Sequence, residues 1–154
     1  MAILNILKED DDTLRKVSRP VTEITPRIHT LLDDMTDTMR RAGGCGLAAV
    51  QVGVLRRVVV IEVEDGVVYE MINPEIVKQS GKQQGAEGCL SVPKRYGEVR
   101  RPACVTVRYT DRNGKECTLT GEGLLARAIC HETDHLEGKL FTELVIGELV
   151  SEEE

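Results

Sequence analysis

Near the C-terminal end stands His131-Glu132-Thr133-Asp134-His135, and no other stretch constrains the fold as strongly. Histidines four residues apart are separated by about 40° around an α-helix and ~6 Å along it, so both imidazoles reach one cation if the segment is helical. The flanks agree: a helix is expected from about Glu122, after Gly121, to Glu137, with Gly138 ending it. Glu132 is too close in sequence to be a third ligand but is well placed to touch a water beside the ion. Two of the three histidines in the chain are spent here. The bland alternative is a solvated helix face carrying His and Glu by chance.

A hydrolytic metal site uses three protein ligands and one open position. In the extended pattern HExxHxxGxxH, Gly138 matches but Phe141 stands where the last histidine belongs. A glutamate some two dozen residues downstream is excluded too, since only 19 residues follow His135. Glu143 and Glu148 lack the expected spacing, and His29 reads as a surface side chain near the start of another helix. Cysteine remains. Cys89 has the most unusual context, Gly85-Ala86-Glu87-Gly88-Cys89-Leu90-Ser91-Val92-Pro93, in which small residues allow close backbone approach and Pro93 limits how far a strand continues. Spacing alone does not separate it from Cys45, Cys104 or Cys117. Cys104 and Cys117 alternate within expected strands as core positions, and Cys130 points about 100° away from His131 around the helix.

The chain has 154 residues, 41% apolar and 3% aromatic, the profile of a single domain with an aliphatic core. No apolar run approaches the ~20 residues of a membrane span, and the N-terminus meets acid early without a basic flank, so a cytoplasmic protein without membrane contact is expected. A net charge of −6, with no basic stripe, disfavours direct nucleic-acid recognition. Five cysteines without a CxxC pair read as reduced thiols, most of them small buried hydrophobes. Only the ends look loose, around Glu9-Asp10-Asp11-Asp12 and in an acidic tail from about residue 148, closing Ser151-Glu152-Glu153-Glu154.

A first helix is signalled by Thr25 as cap, Pro26 in the first turn, and a stripe of Ile28, Leu31, Leu32, Met35, Met39 and Ala42 before Gly43-Gly44. Arg57 to Val63 reads as a buried strand, returning after Glu64-Asp65-Gly66 as Val67 to Ile72 and stopped by Asn73-Pro74. A hairpin pairs Ala103 to Thr110 with Lys115 to Thr120 across Asp111-Arg112-Asn113-Gly114. The fold class is therefore α+β, with antiparallel sheets packed around the C-terminal HExxH helix and an N-terminal helix besides. Residues 1–154 are expected to form one catalytic metallohydrolase domain.

Three segments, in this order, resemble motifs of the peptide deformylases. Gly44-Cys45-Gly46-Leu47-Ala48-Ala49-Val50-Gln51 is similar to GxGxAAxQ, Glu87-Gly88-Cys89-Leu90-Ser91 to EGCLS, and His131-Glu132-Thr133-Asp134-His135 to HExDH. The resemblance implies removal of the N-formyl group from the initiator methionine of newly made bacterial or organellar proteins, releasing formate. It implies Cys89, His131 and His135 as metal ligands and Glu132 as general acid and base. Gln51 and the Leu90 N–H are the implied donors to the formyl oxygen, and Gly44, Cys45 and Gly46 the strand edge beside the substrate. The implied ion is Fe(II), with Zn(II), Ni(II) or Co(II) able to take its place. The implied partners are N-formylmethionyl nascent peptides, with transient ribosome proximity.

The chemistry fits these residues. One thiolate and two neutral imidazoles leave a divalent site with a net charge of about +1, enough to acidify water towards pKa ~7. A tight wall near Gly46 would reject acetyl groups. Leu124 and Ala128, seven and three residues before His131, are candidates for the methionine pocket, with the Arg127 stem nearby.

The sequence departs from the family pattern at three places. Where some members carry an Arg able to meet the peptide backbone there is Tyr96, beside Arg95, and either could contact substrate. Cys130 replaces the common Gln before His131. The chain ends in acid rather than in a basic ribosome-docking helix, so docking through that tail is disfavoured. Two other classes stay open: a conventional endopeptidase, disfavoured by the missing downstream ligand, and a zinc-stabilised module in which Cys130 or Cys45 fills a fourth corner.

Overall fold

Val58, Val59, Val60 and Ile61 are all fully buried, because the strand that carries them is covered on both faces. Even-numbered members pack towards one helix and odd-numbered members towards the other. The computed structural model describes residues 2–151. Two α-helices, α1 (Pro26–Arg41) and α2 (Gly123–Leu136), accompany eight strands: β1 (Gly46–Ala48), β2 (Val58–Glu64), β3 (Val67–Ser80), β4 (Gln83–Cys89), β5 (Val92–Arg101), β6 (Cys104–Thr110), β7 (Glu116–Glu122) and β8 (Ile146–Ser151). Short 3-10 turns occupy Asp12–Arg15, Ala49–Val52 and Phe141–Glu143. Among the described residues no helix is long and apolar enough to cross a membrane.

The strands form two antiparallel sheets, one in the order β1-β2-β3-β6-β7 and one in the order β4-β5-β8. Leu32, Met35 and Met39 of α1 pack on one face of the larger sheet with Leu47, Val58 and Val60. On its other face Ala126 and Ile129 of α2 meet Val59, Ile61, Val105 and Val107. The opposite side of α2 faces β4 and β5, so this helix lies between the sheets, as the α+β expectation required.

The differences from expectation have local causes. Thr25 occupies the N-cap position of α1 but makes no side-chain cap bond; its carbonyl accepts from Ile28 N–H and His29 N–H. Asn73-Pro74 does not stop β3. The strand bulges there, between its pairing with β2 and its pairing with β6. Asn73 takes the bulge conformation at φ 53°, and its side chain bonds both the N–H and the carbonyl of Val21. Pro93 likewise does not block a strand, because it stands at the second position of β5, just beyond the two-residue link Leu90-Ser91.

Nor are the acidic ends simply loose. Asp11 caps the Asp12–Arg15 turn through Thr13 N–H, and the turn buries Leu14 completely. Residues 148–151 belong to β8, paired along β5 up to Ser151 opposite Arg95. Glu152, Glu153 and Glu154 lie outside the described residues. All five cysteines are free thiols, but only Cys130 is buried. Cys104 falls on the face of β6 opposite the buried Val105 and Val107, and Cys117 lies near the turn end of β7, where its thiol reaches Asp111.

Candidate metal centre

Helix α2 carries His131 and His135 on the side that faces β4, which ends at Cys89, and Glu132 beside them against Gly46 of β1. One ligand atom from each of Cys89, His131 and His135 lies within 4.8 Å of the other two. His135 Nε2 is 3.2 Å from His131 Nε2 and 3.3 Å from Cys89 Sγ. Both imidazoles are buried, and burial together with the neighbouring His131 holds His135 well below its ordinary pKa. A neutral ring keeps its lone pair for a metal. Two imidazoles and a thiolate suit a divalent transition-metal ion. No fourth His, Cys, Asp or Glu joins the cluster among the described residues. Cys130 is not part of it, and burial pushes its thiol up to about 11.

A buried ionic network fixes the orientation of His131. Its Nδ1–H donates to Glu87 Oε1 at 2.6 Å, which leaves Nε2 to face the cluster. Arg101 forks onto both Glu87 oxygens at 2.6 and 3.1 Å and reaches Asp134 at 2.7 Å, while Arg127 donates to Glu87 at 2.8 Å and to the Val99 carbonyl at 3.2 Å. Burial alone would raise the Glu87 carboxyl, but the His131 and Arg101 hydrogen bonds and charges outweigh it and hold it at about 2. Two carboxylates against two guanidiniums leave little net charge on the paired groups. Glu87 was legible in part, as the first residue of the segment that resembles EGCLS, although the strand is irregular between it and Cys89. Asp134 was marked by the HExDH resemblance, whereas Arg101 has no such local signal.

Glu132 is 4% exposed, and its Oε1 has no hydrogen-bond partner. Burial pushes its carboxyl up to about 7 against the opposing charge of His131. Gly46 of β1 lies directly against it: a Cβ on Gly46 would stand 2.5 Å from Glu132 Oε2. Gln51 is the third residue of the short turn Ala49–Val52 after β1. Its Oε1 accepts from Ala48 N–H at 2.9 Å, which aims Nε2 at Ser91 Oγ (3.0 Å) and Cys89 Sγ (3.6 Å). Leu90 begins the two-residue link between β4 and β5, its side chain packed over Gly44.

These residues border a cleft of about 600 Å³. Gly44, Cys45 and Gly46 form one wall, and Leu124 and Ala128 of α2 lie along it, Leu124 exposed and Ala128 buried. The Arg127 side chain lines it too, its head tied to Glu87. Tyr96 and Arg95 both border the cleft, Tyr96 with its ring against Gly88 and Arg95 in an ion pair with Glu9. Ile6 and Lys8, which no sequence signal marked, line the same rim. His29 is remote, bonded to the Arg112 carbonyl at 2.7 Å.

Comparisons with known proteins agree with this geometry. The family model for polypeptide deformylase matches residues 3–148. The peptide deformylase of Alkaliphilus metalliredigens is 57% identical over 148 residues, covering 96% of this chain and 100% of that one. The crystal structure of a peptide deformylase from Legionella pneumophila superposes with a TM-score of 0.91 at 46% identity, covering 94% of this chain and 87% of that one. A Synechococcus elongatus peptide deformylase in complex with actinonin gives 0.91 at 40% identity, with coverages of 94% and 81%. A match that takes in the Gly44–Gln51 segment, the Cys89 segment and the α2 histidines together places the chain in the polypeptide deformylase family.

Proposed function

We propose that Cys89, His131 and His135 hold the divalent ion of this enzyme and that Glu132 is its general acid and base. The protein is a metal-dependent hydrolase that removes the N-formyl group from the N-terminal formylmethionine of newly synthesised proteins, releasing formate. The observation that carries the residue assignment is the buried Glu132 Oε1 without a partner, on a side chain that borders the same cleft as Cys89 and His131.

When bound, the ion supplies Lewis acidity that makes water nucleophilic at neutral pH and polarises the formyl carbonyl. Glu132 accepts the proton of the attacking water and returns it to the departing amine nitrogen as the C–N bond breaks. Gln51 Nε2 and the Leu90 N–H donate to the formyl oxygen as negative charge develops on it, and the Ala48 N–H keeps the amide aimed before reaction. The substrate backbone lies along the Gly44-Cys45-Gly46 edge, since β1 is an outer strand of its sheet. Gly46 leaves room for the formyl hydrogen and little more, which disfavours acetyl groups. The methionine side chain rests against Leu124 and Ala128.

Fe(II) is the proposed native ion, with Zn(II), Ni(II) or Co(II) able to occupy a site of this donor set. The setting proposed is the bacterial cytoplasm, near ribosomes, where formylated chains emerge, and residues 1–154 are taken as one catalytic domain. The test is formate release from formyl-Met-Ala-Ser by anaerobically purified protein, with metal content measured on the same sample. Glu132→Gln should keep the ion and lose about 10²- to 10⁴-fold in rate. A metal-loaded protein without turnover, or a fully active Glu132→Gln variant, would overturn the assignment.

A further inference from the structure

The two proposed donors to the formyl oxygen stand on separate elements. Gln51 follows β1 of the larger sheet, whereas Leu90 tips the β4–β5 hairpin of the smaller one. The Gln51 amide reaches Ser91 Oγ across this gap at 3.0 Å, and the N-terminal segment bridges it through backbone bonds. Leu7 N–H donates to the Gln51 carbonyl at 2.7 Å, and two residues on Glu9 N–H donates to the Ser91 carbonyl at 2.9 Å. Ile6 and Lys8, flanking Leu7, line the cleft. The segment is held on both sides. Leu4 N–H donates to Thr38 Oγ1 of α1, and beyond residue 9 the Asp11-capped turn buries Leu14. The side chain of Glu9 then pairs with Arg95 of β5, each about one-third exposed.

We infer that residues 7–9 are a positioning strap that fixes the separation of the Gln51 and Leu90 donors, with the Glu9–Arg95 ion pair as its latch. The inference rests on the reading of Gln51 and Leu90 as formyl-oxygen donors. Two backbone bonds in alternate positions set the distance between the Gln51 turn and the hairpin tip, and the ion pair resists sliding of β5 past them. Arg95 lines the cleft as well, and as the latch it acts as a positioning residue through the hairpin; a substrate contact would instead raise KM. A donor held for an oxyanion acts in the transition state more than in the ground state, so loosening it lowers kcat rather than raising KM.

The test measures kcat and KM on formyl-Met-Ala-Ser, melting temperature and metal content for Glu9→Gln, Arg95→Gln, Glu9→Arg and the exchanged pair Glu9→Arg with Arg95→Glu. A partly exposed pair supports a modest effect, so Glu9→Gln and Arg95→Gln should each lower kcat about threefold with KM unchanged. Glu9→Arg should lower it further, and the exchange should restore it to within about twofold, a rescue that lost packing would not give. Gln51→Ala, measured alongside, tests the reading beneath the inference. If Gln51→Ala falls about 100-fold while the Glu9 and Arg95 variants keep their kcat, or change only KM or melting temperature, the strap is overturned and the donors stand. If Gln51→Ala keeps its kcat, the donor assignment fails and takes the strap with it.

Discussion

Gly46 and Glu132 meet so closely that the glycine sets where the carboxylate sits. An added Cβ would stand 2.5 Å from Oε2, 3.0 Å from Cδ and 3.1 Å from Cγ of Glu132, and the buried carboxyl has nowhere obvious to retreat. Gly44 presents a milder case, since a Cβ there meets the ends of the Leu90 side chain, which can rotate away. Gly46→Ala is therefore expected to lower kcat by about 100-fold through displacement of the proposed general base, while Gly44→Ala costs far less. Metal content should stay at the wild-type level in both, because neither glycine touches a ligand. Steady-state kinetics with metal analysis on the same preparations checks this; equal losses in the two variants would mean that crowding of Glu132 is not the cause.

Between elements, Glu62 of β2 shows how a charge near the end of a strand ties a helix and a turn together. Arg40, in the last turn of α1, donates from Nε and Nη2 to the two Glu62 oxygens at 2.8 Å each, and Gly66 N–H of the β2–β3 turn donates to Oε2 at 2.9 Å. The Arg40 hydrogen bond, followed by the Gly66 N–H, lowers the Glu62 pKa from 4.5 to about 2. A depressed carboxyl stabilises the folded chain above its unfolded pKa and loses that contribution as pH falls towards its folded one. The gap in denaturation midpoint between wild type and Glu62→Gln should thus be full at pH 7 and shrink steadily from about pH 5 to pH 3; a constant gap would mean the pair contributes through packing alone. Of the elements themselves, α1 and α2 were legible because apolar spacing and the paired histidines both demand a helix, and β2 because four buried aliphatics run together. The strands β4 and β5 were not. Gly85, Ala86 and Gly88 lack strand propensity, and the polar, proline-containing start of β5 carries no alternation that a reader could trust. The same glycines that hide β4 leave room for Tyr96 and the Arg127 guanidinium, so weak local signal and a functional wall have one cause. The Arg101–Asp134 pair joins groups 33 residues apart, a separation at which charge alone names no partner.

At the scale of the whole molecule, the proposed ion joins the two sheets. Cys89 comes from the smaller sheet and the histidines from α2, which packs on the larger one. The smaller sheet has little core of its own: Val92, Val99 and Phe141 are its buried hydrophobics, and the Phe141 ring lies 6.0 Å from that of His131. Its docking is therefore expected to draw on the proposed ion and the Glu87 network as well as on apolar burial. A ligand bound only to the folded state stabilises it by about 2.7 kcal/mol at 100 times its dissociation constant. Chelation should accordingly lower the melting temperature and, below it, speed amide exchange in β4 and β5 while the doubly covered strand β2 stays protected. Arg101→Gln should produce the same local loosening with metal present, since it breaks the network from the other side. Exchange that rises equally in β2 and in β4–β5 on chelation would show that the two sheets open as one unit and that the ion is not what holds them together.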